Sequence, residues 1–397
     1  MRDHVSSSSV VEMTRALVAA DSQNPPGRER LVADVARQLL EPLCGSVAEV
    51  EAAPGRVSLV GRIGDCSRPT LLVNGHLDTV PADPNRWAHD PFGGEVADGR
   101  IWGRGTADMK GGVAAAIEAV LALGRAGIEP PCDVLFHLVA DEERGGRFGT
   151  QALLDRGLIT ADACVVPEPT SLDVCIAERG LLHVDVLLHG RPAHASEPRR
   201  GISAIEKAAK VVLALHAADF GHPAHPLLGA PTANAGLISG GSGANVVAER
   251  CVVTIDHRVL PGQAQADAVD DVRRLIDAID DPDLIYDLEP IVFGEASELA
   301  PSHPWTAWMR TTIAGVIGRQ PAVIGMPFAT DARFVRNQRA IPAVVCGPGS
   351  IDQAHVDDEW VAIDALVDAA AVYATLMAGF DDEAVAVLHE RRTAPTR

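Results

Sequence analysis

Most of the side chains that could carry chemistry in this chain fall just after short apolar segments that read as buried strands. The set is His76 and Asp78 after 70–74, Glu142 and Glu143 after 133–139, Glu168 after 163–166, His355 after 343–346, and Asp108 in a glycine-rich turn at 103–108 that opens a helix. In an open parallel sheet, ligand sites form outside the carboxyl ends of the strands. We therefore expect these side chains to meet at one edge of a sheet.

The residue types predict a metal centre. Zinc accepts imidazole and carboxylate ligands together, and His76, His355, Asp108, Glu143 and Glu168 are more ligands than one tetrahedral ion needs. Two divalent ions carry four positive charges, which the three carboxylates and a bridging hydroxide balance. The pattern therefore predicts two Zn²⁺ ions, with Co²⁺ or Mn²⁺ as substitutes.

Asp78 and Glu142 remain outside this ligand set. Asp78 follows His76 by two residues on the same side of an extended segment, so we expect it to hold the second N–H of that imidazole. Glu142 adjoins the ligand Glu143 without being one, where a general base belongs. The predicted chemistry is metal-assisted hydrolysis, in which a zinc-bridged water loses its proton to Glu142.

The elements that must position these residues indicate two domains. Short apolar strands alternate with helices such as 112–123, after two N-terminal helices broken at 24–27, which is typical of an α/β domain with a largely parallel sheet. The middle of the chain follows the order β-α-β-β-α-β, which is typical of a ferredoxin-like α+β domain. We expect a catalytic domain at 1–179 and 294–397, and an inserted domain at 180–293 whose segment 181–188 is an edge strand able to pair with a second copy.

Composition narrows the function classes. The chain has 397 residues, 47% of them apolar, and a formal net charge of −20, which disfavours nucleic acid and anionic membranes as partners. Its seven cysteines are scattered without a CxxC pair, and its first residues lack the apolar core of a signal peptide. These features predict a cytoplasmic protein with reduced thiols.

Seven motifs, in order along nearly the whole chain, carry a family resemblance. They are GHLDTVP (75–81), DPFGG (90–94), GRGTADMKGG (103–112), ADEERGG (140–146), PEPTSL (167–172), HGRPAHAS (189–196) and GPGSIDQAH (347–355). The chain resembles the zinc exopeptidase and deacylase family of acetylornithine deacetylase, succinyl-diaminopimelate desuccinylase, aminoacylase and glutamate carboxypeptidase. PEPTSL and GPGSIDQAH resemble the deacetylase and desuccinylase branch, whereas ATDARF (329–334) is closer to the desuccinylase and carboxypeptidase side.

The resemblance implies a role for each metal-type residue. It implies that His76 and Glu168 bind one zinc, that Glu143 and His355 bind the other, and that Asp108 bridges them. It further implies that Glu142 is the base and that the peptide between Asp108 and Met109 is cis.

The resemblance also implies roles for the inserted domain. It implies a homodimer formed through that domain, with His194 reaching into the partner's active site to stabilise an oxyanion. Asn245 and Arg258 match the residues that orient the substrate, and the planar fork of Arg258 suits a free carboxylate. The expected substrate is an N-acyl amino acid with a small acetyl or succinyl group, or a dipeptide.

Three alternatives stay open at this point. A carboxypeptidase or dipeptidase of the same family would use the same centre. An aminopeptidase is disfavoured because such relatives tend to carry Asp where this chain has Glu168. A non-catalytic binding protein on the same fold would be marked by loss of a ligand or of the base, and none is lost.

Overall fold

The computed structural model describes residues 1–390 and divides the chain into two compact units. The first unit consists of Met1–Ile176, Leu299–Ile324 and the chain from Thr330 onward. The second unit consists of Ala177–Glu298 and Gly325–Ala329.

Helices and strands alternate along most of the described chain. The helices are α1 Ser7–Ala19, α2 Glu29–Leu40, α3 Gly111–Ala126, α4 Thr150–Asp155, α5 Ala204–His216, α6 Gln265–Asp277, α7 Pro304–Ile317, α8 Ala332–Arg339, α9 Ile363–Gly379 and α10 Asp382–Glu390. The strands are β1 Val47–Ala53, β2 Arg56–Ile63, β3 Thr70–His76, β4 Glu95–Ala97, β5 Arg100–Trp102, β6 Asp133–Val139, β7 Ala163–Pro169, β8 Val174–Glu178, β9 Gly180–His189, β10 Thr232–Gly240, β11 Arg250–Val259, β12 Ile285–Gly294, β13 Ser297–Glu298, β14 Val323–Met326, β15 Ala343–Gly347 and β16 Trp360–Ala362.

The main sheet of the first unit has the order β1-β2-β6-β3-β7-β15-β8. The central pairs β6-β3, β3-β7 and β7-β15 are parallel, whereas the outer pairs β1-β2, β2-β6 and β15-β8 are antiparallel. The sheet is thus mixed, and the predicted parallel arrangement is confined to its centre. Because the four central strands run in one direction, their carboxyl ends lie at one edge.

Burial on both faces explains why the central strands are apolar. All seven residues of β6 are buried, and Leu135, Phe136 and Leu138 are at most 2% exposed. Burying a side chain of this size stabilises the fold by about 1.5–3 kcal/mol. On α3, a Cβ at Gly112 would lie 2.2 Å from the carbonyl oxygen of Pro167. The glycine therefore permits the helix to approach β7 closely.

The second unit contains the elements β9, α5, β10, β11, α6 and β12 in the predicted β-α-β-β-α-β order. They form a four-stranded antiparallel sheet with the order β10-β11-β9-β12, and α5 and α6 pack on one face of it. The prediction of an edge strand at 181–188 is wrong, because β9 pairs with β11 on one side and with β12 on the other. The edges of this sheet are β10 and β12.

Within residues 1–390, no helix taken singly is long and apolar enough to cross a bilayer. Only the bent pair Ile363–Gly379 and Asp382–His389 reaches the necessary length and apolar composition, when the two helices are joined.

Candidate functional site

The carboxyl edge of the first unit's sheet gathers the predicted metal-type residues. His76 is the last residue of β3, and Glu168 lies near the end of β7. Glu142 and Glu143 form a short 3-10 turn after β6. His355 follows β15. Four central strands thus deliver side chains to one place.

Asp108 reaches this edge from a tight turn, Thr106–Lys110, that precedes α3. The turn begins at Gly105, whose φ of 85° lies in the left-handed region, and a Cβ there would come 2.7 Å from Thr79 Cγ2. Glycine therefore satisfies both the backbone and the packing at this position. The peptide between Asp108 and Met109 is cis, which confirms the expectation from the resemblance.

The five predicted ligands form two groups that share Asp108. His76 Nε2 lies 2.9 Å from Asp108 Oδ1 and 3.6 Å from Glu168 Oε1. His355 Nε2 lies 3.3 Å from Asp108 Oδ2 and 3.0 Å from Glu143 Oε2. Within each group the candidate ligand atoms lie within 4.8 Å of one another. Each oxygen of Asp108 thus faces a different histidine, as a bridging carboxylate would.

The electrostatics of this cluster favour cations. Burial raises the pKa of Glu168 well above its usual value, and the nearby Asp108 raises it further. Hydrogen bonds to Asp108 and Glu143 raise the pKa of His355 to about 10. Burial opposes ionisation of Asp108, but hydrogen bonds from His355 and His76 outweigh it and hold its pKa far below the usual range. Carboxylates crowded in a buried space stabilise positive charge, which is the property that a cation site requires.

Glu142, the predicted base, lies in the same electrostatic environment. Burial raises its pKa well above the ordinary value, His76 opposes this rise, and Asp331 adds to it. Asp331 is 1% exposed, its Oδ2 accepts a hydrogen bond from Thr150 Oγ1 at 2.5 Å, and burial raises its pKa to about 6. Asp331 belongs to the ATDARF stretch (329–334). The sequence analysis used this stretch only for the family resemblance and assigned Asp331 no place near the site.

Asp78 acts differently from the sequence-based expectation. His76 Nδ1 donates to the backbone carbonyl of Asp78 at 2.8 Å, whereas the Asp78 carboxylate lies 3.7 Å from that nitrogen. The carboxylate instead accepts the backbone N–H groups of Glu142 at 3.1 Å and Glu143 at 3.2 Å, and Asn24 Nδ2 at 2.8 Å. Asp78 therefore fixes the imidazole through its main chain and fixes the Glu142–Glu143 turn through its side chain.

A buried network behind this turn escaped the sequence interpretation. Asp141, in the left-handed region with a φ of 69°, accepts hydrogen bonds from Arg56 Nη2 at 2.8 Å and Asn24 Nδ2 at 3.2 Å. Arg56 also pairs with Glu29, which is fully buried. The Asn24-Pro25-Pro26-Gly27 break was the only signal in this region, and it indicated a turn rather than a contact with the site.

Glu359 also escaped prediction. It is fully buried, and its carboxylate accepts the backbone N–H groups of Gly105, Ala107 and Asp108. Burial raises its pKa to about 7, although Arg104 opposes that rise. Its sequence signal was weak: an acid directly before the short apolar strand β16.

The remaining predicted residues, His194, Asn245 and Arg258, lie in the second unit. The segments of His194 and Asn245 meet, because Ala195 N donates to Asn245 O at 3.0 Å. Both side chains are exposed. Because the backbone N–H of Ser196 donates to His194 Nδ1 at 3.2 Å, a neutral His194 carries its hydrogen on Nε2. The Nε2–H is then available as a hydrogen-bond donor.

Arg258 is already paired within the second unit. Its Nε and Nη2 donate to the two carboxylate oxygens of Asp256 at 2.7 and 2.9 Å. Its Nη1 donates to no residue in the described part of the chain. The fork predicted to face a substrate carboxylate is thus half occupied, and Asp256 sets its orientation.

Comparison with known proteins identifies relatives across most of the chain. The model of Peptidase family M20/M25/M40 matches residues 72–379. An acetylornithine deacetylase of Vibrio atlanticus is 30% identical over 376 residues, covering 90% of this chain and 94% of that protein.

Solved structures show the same fold. The aminopeptidase PepT of Bacillus cereus matches with a TM-score of 0.77 at 23% identity, covering 96% of this chain and 100% of that one. The YXEP protein of Bacillus subtilis, a dinuclear metal binding peptidase from the M20 family, matches with a TM-score of 0.71 at 16% identity, covering 96% and 98%.

Proposed function

The chain belongs to Peptidase family M20/M25/M40 and is therefore a hydrolase of amide bonds, and we propose that it removes a small acyl group from an N-acyl amino acid. The observation that carries this proposal is the pair of ligand groups sharing Asp108 at the sheet edge, with Glu142 beside them. The acetylornithine deacetylases among its relatives favour an acetyl group, and succinyl is the next candidate.

The donor set fits two divalent cations. Each group offers one imidazole and two carboxylates in a largely buried space, which suits zinc, with Co²⁺ or Mn²⁺ as substitutes. His76, Asp108 and Glu168 would hold one ion, and Asp108, Glu143 and His355 the other. Bound there, the ions would polarise the scissile carbonyl and acidify a water molecule.

The chain's own residues would then move the proton. Glu142 accepts the proton of the attacking water and returns it to the departing amine, as a general base and then a general acid. Burial raises the pKa of Glu142 toward neutral pH, and such a pKa suits a group that first accepts a proton and then returns it. The Asp78 carboxylate accepts the backbone N–H groups of Glu142 and Glu143. These bonds would keep the Glu142 side chain in position while it gains and loses the proton.

Substrate orientation needs groups beyond the metal centre. We assign a free carboxylate of the substrate to Arg258, whose Nη1 is unpaired among the described residues, with Asn245 as an additional hydrogen-bonding group. This assignment fits an N-acyl amino acid. It equally fits the C-terminal residue of a peptide, so a carboxypeptidase or dipeptidase activity is the second candidate.

We further propose a homodimer formed through the second unit, with His194 serving the partner's site. The edge strand β10 exposes Leu237 (71%) and Ile238 (57%), and α5 exposes Leu213 (70%). A cluster of large exposed apolar side chains beside an unpaired strand edge is typical of an interface between copies. We therefore assign the proposed dimer interface to β10 and α5, and not to the segment 181–188.

The cytoplasm is the proposed compartment. All seven cysteines are free in the structure, and six of them are buried, which suits reduced thiols that serve as apolar packing. This proposal does not depend on the substrate.

A panel of acylated amino acids tests the proposed function. Purified protein loaded with Zn²⁺ is given N-acetyl and N-succinyl amino acids, dipeptides, and the same compounds amidated at the free carboxylate. We expect release of free amine from the N-acyl acids and at least tenfold lower kcat/KM for the amides. Preference for dipeptides would select the second candidate. Turnover of amides equal to that of acids would contradict the assignment of Arg258.

A further inference from the structure

Glu359 is a buried carboxylate for which the mechanism so far has no use. Its side chain is 0% exposed. Its Oε1 accepts the backbone N–H groups of Ala107 at 2.8 Å and Asp108 at 3.1 Å, and its Oε2 accepts Gly105 N–H at 3.0 Å and Arg104 Nη1 at 2.7 Å. An ionised carboxylate has about four acceptor positions, so the four donors use its capacity.

These four bonds act on the segment that presents Asp108. The two oxygens of Asp108 face different histidines, at 2.9 Å from His76 Nε2 and 3.3 Å from His355 Nε2. A carboxylate with two such partners tolerates little rotation of its backbone. Glu359 holds the N–H of Asp108 itself and of the residue before it. Glu359 also follows His355 by only four residues. One short segment therefore contains both a candidate metal ligand, His355, and the carboxylate that holds the backbone of Asp108.

A role as a mere counter-ion accounts for only one of these contacts. Arg104 is 2% exposed and lies over the Trp87 ring at 5.0 Å, and it pairs with Glu359 at 2.7 Å. The other three donors are main-chain groups of the Asp108 segment, and they require the carboxylate in one orientation. Charge neutralisation alone would not place three N–H groups on it.

We propose that Glu359 is a positioning residue that orients the Asp108 carboxylate between His76 and His355 and so sets the affinity of both cation positions. This inference rests on the metal centre of the proposed function. It assigns Glu359 no contact with substrate.

The test compares Glu359→Gln with a matched buried control, Glu118→Gln. Glu118 is also 0% exposed, accepts Ser6 N–H and Ser9 Oγ at 2.7 Å each, and pairs with Arg125. Metal-free full-length protein is titrated with Co²⁺ alone, and binding is followed by visible absorption. We expect Glu359→Gln to weaken Co²⁺ binding about 10–100-fold and to change the absorption bands, since groups that orient metal ligands carry effects of this size. Glu118→Gln keeps wild-type affinity within about twofold.

A substrate-free second readout separates positioning from loss of fold. Amide hydrogen exchange of a peptide spanning 103–109, in the metal-free protein, should be faster in Glu359→Gln while exchange in β6 stays unchanged. If Glu359→Gln does not fold, Glu359→Asp keeps the charge with a side chain one methylene shorter, and it should show the same changes. Wild-type Co²⁺ affinity and absorption in the folded variant would overturn the inference.

The outcomes also separate this inference from the proposed function. A wild-type protein that binds Co²⁺ but hydrolyses none of the acylated substrates contradicts the proposed function and leaves the role of Glu359 standing. A wild-type protein that binds no Co²⁺ overturns both.

Discussion

The replacement of Asp78 by asparagine tests what its carboxylate does. In the structure this carboxylate accepts three N–H groups, from Glu142, Glu143 and Asn24, and lies 3.7 Å from the imidazole of His76. Asparagine has nearly the same shape but only one acceptor oxygen. With that oxygen at the Oδ2 position, the bonds from Asn24 and Glu143 survive, and the N–H of Glu142 faces an NH₂ group instead of an acceptor.

The expected loss follows from the bonds removed. A hydrogen bond to a charged group contributes about 1.5–3 kcal/mol, and one such bond is lost outright while two lose their charge. We therefore expect the free energy of unfolding of the metal-free protein to fall by about 2–4 kcal/mol. Because Glu142 is the proposed base, kcat should fall about 10–100-fold, with KM nearly unchanged.

The assay is urea unfolding of metal-free protein, followed by kinetics of the Zn²⁺-loaded protein. Asp162→Asn is the matched control, because Asp162 accepts the backbone N–H of Thr70 at 2.8 Å at the opposite end of β3. It should lower stability without changing kcat. If Asp78→Asn left the metal-free protein as stable as the wild type and weakened only metal binding, the carboxylate would act on the imidazole. The reasoning from the three N–H contacts would then be refuted.

Three further predictions address the proposed mechanism. Glu142→Gln should keep its metal and lose about 10²–10⁴-fold in kcat, because the neutral amide cannot accept a proton; near-normal turnover with full metal occupancy would contradict the base assignment. Mixed dimers of inactive His194→Ala and inactive Glu142→Gln chains should regain part of the activity, and no recovery in verified heterodimers would exclude a shared site. Arg258→Lys should lower kcat/KM for carboxylate substrates about tenfold or more while sparing metal content, because lysine loses the planar fork; an equal effect on amidated substrates would show that Arg258 does not read the carboxylate.

Much of the candidate site was accessible to sequence reasoning because it depends on local features. His76 and Glu168 lie at the ends of apolar segments, and the end of a parallel strand determines the edge at which a side chain emerges. Asp108 was recognisable from its glycine-rich turn. The order β-α-β-β-α-β of the second unit followed from the periodicity of the chain, which is also a local property.

The order of strands within a sheet is not local, and there the sequence interpretation failed. The segment 181–188 has the apolar alternation of a strand, but only the pairing of β9 with β11 and β12 shows that it is central. The hydrophobic period indicates which face of a strand is buried, but it does not indicate which strands lie beside it in the sheet. The exposed apolar side chains of β10 and α5 became visible only in the folded unit.

Hydrogen-bond partners distant in sequence were likewise decided by the tertiary structure. Asp78 and Glu142 are separated by 64 residues, and Asp108 and Glu359 by 251. A carboxylate can accept hydrogen bonds from several N–H groups. The sequence shows where the carboxylate is in the chain, but it does not show which N–H groups lie near it after folding. The chain thus specified which residue types meet at the sheet edge, through local pattern and strand direction. Only the packing of distant segments decided that Asp78 and Glu359 hold the backbone beside the candidate ligands, because that role depends on which N–H groups folding leaves without a partner in secondary structure.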